Sequence, residues 1–130
     1  MISKIKKEGL EILILDYSDC NQEQMIEIVF MAKPMIIDAT RPLAVLSVFN
    51  DKAFATPQFV MTLKQETADV IHLIDRQAVV GINEAKKIIL KGFNFLFRIN
   101  IKAFDTVDEA LTYLVEDHRS YKDIPDYLRQ

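Results

Sequence analysis

Residues 78–106, AVVGINEAKKIILKGFNFLFRINIKAFDT, carry the pattern that decides the fold of this chain. Ala78, Val79 and Val80 make a short apolar strand that ends at Gly81. Asn83 stands where a helix N-cap stands, its side chain placed to accept backbone N–H groups that a first helical turn leaves unpaired. Apolar residues then recur at helical period as far as Ile99. A second strand follows over 99–104, and Thr106 caps the helix after it. Strand, helix and strand in this order imply parallel strands joined by a right-handed crossover.

Outward from this unit the same alternation continues. Residues 3–7 alternate, Glu8-Gly9 signals a turn, and LEILILD over 10–16 is apolar on both faces, as a central strand is. Asn21 and Gln24 have capping-box spacing, and Met25, Ile28, Val29, Ala32 and Ile36 recur at helical period behind them. Pro34 is expected to end or kink that helix. LAVLSVF over 43–49 is the next strand. Thr56-Pro57 opens a second helix with a hydroxyl cap and proline at the first position; Phe59, Val60, Leu63, Val70 and Ile71 supply its buried stripe. Residues 77–81 form a strand. Thr106 and Glu109 box the fourth helix, whose apolar face is Val107, Ala110, Leu111, Leu114 and Val115. The expectation is a single α/β domain over 1–117: an N-terminal hairpin, then α-β-α-β-α-β-α. It predicts a mostly parallel sheet of about five strands with helices packed on it. The tail, 118–130, is polar but carries Tyr121, Ile124, Tyr127 and Leu128, and is expected to dock locally.

Composition narrows the function classes. A net charge of −3 and a pI near 5.4 leave no basic footprint for nucleic acid. The single cysteine, Cys20, excludes an intrachain disulfide framework and reads as an inert thiol in a reducing compartment. No apolar run reaches the roughly 18–20 residues of a membrane span, and Glu8, Gly9, Glu11 and Asp16 interrupt any signal-peptide core. The expected location is the cytoplasm.

Catalytic motifs are missing. Three glycines, Gly9, Gly81 and Gly92, build neither a dinucleotide-binding pattern nor a phosphate loop. His72 and His118 each lack a second ligand at helical spacing, so no metal site is expected, and no serine sits in a G-x-S-x-G elbow. No cofactor is expected either. In parallel α/β sheets ligands gather at the carboxyl ends of the strands. Those ends offer Asn50, Asp51, Thr56, Gly81 and Asn83 as candidate binding residues. Asp16, Asp51 and Asp105 there suggest a Mg²⁺-holding phosphoryl acceptor, but that chemistry wants a lysine just after a late strand, and Lys102 lies inside its strand. Caps and turn formers are the simpler reading.

Projection of 84–99 at about 100° per residue puts Ala85, Ile88, Ile89, Gly92, Phe95, Leu96 and Ile99 on one face, the expected sheet-facing stripe. Leu90, Phe93 and Phe97 form a second apolar stripe beside a basic edge. This second stripe either packs on a neighbouring helix or is an interface, for a protein partner, a second copy or an anionic membrane surface.

AVVGINEAKKIIL over 78–90, followed by KAFDTVDEALTYL over 102–114, resembles the C-terminal half of STAS-like (SpoIIAA-like) bacterial domains. In these an A-V-V-G strand end precedes a K-K-I-L helix, and an F-D-T strand end precedes E-E-A-x-x-W-L. Tyr113 stands where the tryptophan commonly does. The hairpin and three β-α steps match that topology over about residues 2–117. The resemblance implies a cytoplasmic, non-enzymatic protein-binding or regulatory module. In its best-known members a serine at the start of the second helix is phosphorylated as a switch. Residues 50–57 lack that D-S-S-G-like motif, and Thr56 is engaged as a cap, so the switch does not carry over. The alternative expectation is a small-molecule or lipid-surface binding protein using the third helix and the strand ends.

Overall fold

The computed structural model describes residues 1–53 and 55–116 in full and the helical backbone of 117–123. Its strands are β1 (Ile2–Lys7), β2 (Leu10–Asp16), β3 (Leu43–Val48), β4 (Arg76–Val80) and β5 (Ile101–Phe104). Its helices are α1 (Gln22–Asp38), α2 (Pro57–Thr67), α3 (Glu84–Phe97) and α4 (Val107–Asp123), with a 3-10 turn at Ile71–Leu73. β1 pairs antiparallel with β2 across Glu8-Gly9, both at positive φ as a tight hairpin turn requires. β2, β3, β4 and β5 then pair in parallel, in chain order.

Successive right-handed crossovers that all step the same way along a sheet put their helices on the same face. α1, α2 and α3 accordingly form one layer, and α4, which follows the last strand, covers the other face. Alternation along the strands feeds two cores. Leu13, Leu15, Leu43 and Val45 meet α1 and Phe59 of α2. Leu10, Ile12, Ala44, Leu46, Ala78 and Val80 meet Ala110, Leu114 and Val115 of α4. β2 feeds both, as a central strand must.

Three expectations change. α1 does not stop at Pro34 but continues to Asp38. Pro34 is exposed, while Ile36, two residues on, is 2% exposed in the core; burial of that turn outweighs the lost backbone bond. Arg41 closes the helix end by donating to the Ile36 carbonyl at 2.7 Å. The second helix ends at Thr67, so Val70 is buried from the loop beyond it and Ile71 begins the 3-10 turn. α4 runs past 117, so the expected domain end falls inside a helix. The docking expected of Tyr121, Ile124, Tyr127 and Leu128 lies outside the described side chains.

Glu11 is the buried charge of the sheet, 4% exposed. Its carboxylate accepts the Thr40 N–H at 2.6 Å and pairs with Lys4 Nζ at 3.4 Å, tying the α1–β3 loop to the hairpin. Glu11→Ala leaves the Thr40 donor without its partner, and urea unfolding is expected to show a loss of about 2 kcal/mol.

Candidate functional site

Local chemistry fixes how α3 rolls about its own axis. Asn83 caps it, accepting the Lys86 N–H at 2.9 Å. Asn94 grips the start of β5 with both ends of its amide, donating to Ile101 O at 2.9 Å and accepting Ile101 N–H at 3.0 Å. Lys87 Nζ reaches Glu84 at 3.1 Å and Asp105 at 3.4 Å. The Glu84 bond first, with Asp105 after it, raises the Lys87 pKa above the ordinary lysine range. Positions 87 and 94 lie about two turns apart and share a side of the helix. With that side tied to β5 and Asp105, the arc of Lys86, Leu90, Phe93 and Phe97 turns inward.

This corrects the expected sheet-facing stripe. Ile88, Phe95 and Leu96 point out, 70%, 84% and 72% exposed, and Ile89, 63% exposed, lies where the outer side meets the inner one. Gly92 is exposed too, with open space where a Cβ would stand. The candidate interface residues Leu90, Phe93 and Phe97 are instead half-buried on the inner side. Phe93 and Phe97 meet edge to face at 4.6 Å between ring centroids, and Lys64 of α2 lies 4.6 Å over the Phe97 ring. No residue of α3 is fully buried.

The helix therefore stands off the sheet, and a cavity of about 200 Å³ lies beneath it. Ser47, Val79 and Ile101 make its floor, while Val60 and Leu63 of α2 face Leu90 and Phe93 of α3 across it. Tyr17, Phe49 and Phe59 close one end as an aromatic cluster: Tyr17 stacks on Phe49 at 4.8 Å, and Phe59 stands edge-on to both. Burial raises the Tyr17 pKa far above the ordinary phenol value, so this end stays neutral. Lys86 is the one formally charged residue in the wall among the described residues, its Nζ donating to Ala53 O at 3.1 Å.

The candidate residues at the strand ends surround this cavity without lining it. Asn50 clamps two loops, accepting Asp19 N–H at 3.0 Å and donating to Asp19 Oδ1 at 2.9 Å. Asp51 sits exposed on the turn that follows. Thr56 caps α2 by accepting Phe59 N–H at 3.1 Å, and its hydroxyl donates to Gln22. Gly81 packs against the Phe49 backbone, and Asn83 is the α3 cap. Their near neighbours Phe49, Ile82 and Lys86 face the cavity instead. Lys86 had one sequence signal: by helical period it is the base on the arc of Leu90, Phe93 and Phe97. Tyr17 had the signal of its place just past the carboxyl end of β2, where ligands gather in parallel sheets; Ser47 had none.

Among the described residues no three His, Cys, Asp or Glu side chains gather as a metal group would, and no helix is long and apolar enough to cross a membrane. Comparison with protein-family models, curated proteins and solved structures finds no match.

Proposed function

We propose that this chain is a non-enzymatic, STAS-like binding module of the cytoplasm, and that it docks a second copy of itself through the outer surface of the α1–α2–α3 layer. The observation that carries the reading is the distribution of exposed large hydrophobic side chains among the described residues. Phe30, Met31, Ile37, Met61, Ile88, Ile89, Phe95 and Leu96 all lie on that layer, and only Met1, Ile5 and Val107 lie elsewhere. Apolar surface concentrated in this way marks an interaction face.

Charge selects the occupant. Exposed α1 carries Glu23, Glu27 and Asp38, while its Lys33 is engaged with Glu66 and Asp69. α3 exposes Lys91 and Arg98, with no acidic residue over 85–104. A two-fold pairing of α1 on one copy with α3 on the other joins apolar to apolar and acid to base twice over. An anionic membrane surface would attract α3 but repel the acids of α1 in the same layer. The STAS-like reading rests on the 78–90 and 102–114 motifs, and the hairpin followed by β-α steps supports it.

Sedimentation equilibrium tests the proposal. The expected result is a dimer at micromolar concentration, weakened about 100-fold or more in Ile88→Glu/Phe95→Glu, as loss of interface anchors implies. Lys91→Glu/Arg98→Glu is expected to weaken it, and Glu23→Lys/Glu27→Lys in the same chain to restore it. A monomer at near-millimolar concentration, or co-sedimentation with anionic vesicles that the charge swap does not change, overturns it.

A further inference from the structure

We infer that the cavity beneath α3 is a binding site for a small apolar monoanion, a carboxylate of about eight to ten heavy atoms whose body lies between Leu63, Leu90 and Phe93 and whose head meets the Lys86 ammonium. Size sets the first limit. An apolar protein cavity of about 150 Å³ holds benzene, so a space of about 200 Å³ takes a ligand somewhat larger. Lining sets the second. Apart from Ser47, Tyr17 and Lys86, every described residue of the wall is apolar.

Charge sets the third limit. Lys86 brings the only formal charge among the described lining residues, and it is positive. It lies in the first turn of α3, where the helix dipole also favours an anion. A cationic head would meet repulsion in the same place. Access needs little rearrangement, because the space is partly open to solvent and α3 has no fully buried residue.

Ile89 borders both this site and the outer docking face, and the experiment keeps the two apart with variants that leave Ile89 in place. Calorimetric titration with sodium octanoate is expected to show saturable binding to one site per chain, with octylammonium of the same chain length at least ten-fold weaker. Lys86→Met is expected to weaken octanoate about ten-fold and leave 1-octanol unchanged. Leu90→Trp from the helix side, or Ser47→Leu from the sheet side, fills the space and is expected to abolish octanoate binding, whichever variant retains the native circular dichroism. Ile88→Glu/Phe95→Glu, which alters the outer face alone, is expected to bind octanoate normally. Equal binding of octanoate and octylammonium, or undiminished binding in a folded cavity-filling variant, overturns the inference.

Discussion

Gly81→Ala is expected to lower the unfolding free energy by about 3–5 kcal/mol and the midpoint of thermal unfolding by about 10–20 °C. Two effects combine there. Gly81 sits at φ 84°, which costs an L-residue about 1–2 kcal/mol. A Cβ would also stand 1.8 Å from Phe49 O and 2.5 Å from Phe49 C, a clash with backbone that no rotamer relieves. The chain would have to part where Phe49 N–H donates to Val80 O at 2.9 Å, the bond that joins the ends of β3 and β4. The other glycines serve as controls. Gly9 shares the positive φ but has open space around it, so Gly9→Ala is expected to cost only the conformational share. Gly92 lies inside α3 with open space outward, and Gly92→Ala is expected to stabilise by up to about 1 kcal/mol. Urea titrations of the three variants check the order, and a Gly92→Ala loss of several kcal/mol would place that residue against the sheet.

The element order was legible because local chemistry and periodicity agree. The expected caps are made: Asn21 exchanges bonds with Gln24, Thr56 accepts from Phe59, Asn83 from Lys86, and Thr106 from Glu109. The roll of α3 was not legible. Periodicity favours the broader stripe of Ile88, Ile89, Phe95 and Leu96, and the structure turns that stripe outward. The choice is made by side chains meeting across a gap in sequence, Asn94 with Ile101 and Lys87 with Asp105. The cavity was hidden for the same reason, since it exists only because the inward stripe spans the space rather than filling it. The cavity opens beside Phe49 and Ile82 at the strand ends, where the polar residues Asn50, Thr56 and Asn83 hold loops and caps.

Three phenylalanine-to-alanine variants are expected to rank by burial and so report the roll of α3 in solution. Phe59 is 2% exposed, set by the Thr56 cap and edge-on to Tyr17 and Phe49. Its truncation removes a whole buried ring from the core cluster beside the cavity, and a loss of about 3–5 kcal/mol is expected. Phe93 is half-buried against the cavity and keeps its edge contact with Phe97, so about 1–2 kcal/mol is expected. Phe95 is 84% exposed, and at concentrations where the chain is monomeric its removal should shift stability by no more than about 0.5 kcal/mol. Chemical unfolding of each variant at low concentration supplies the comparison. Hydrophobic periodicity, which put Phe95 against the sheet, demands that Phe95→Ala cost more than Phe93→Ala. The anchoring of positions 87 and 94 to Asp105 and β5 demands the reverse, and a larger loss at Phe95 would mean that α3 turns its other stripe inward and closes the cavity.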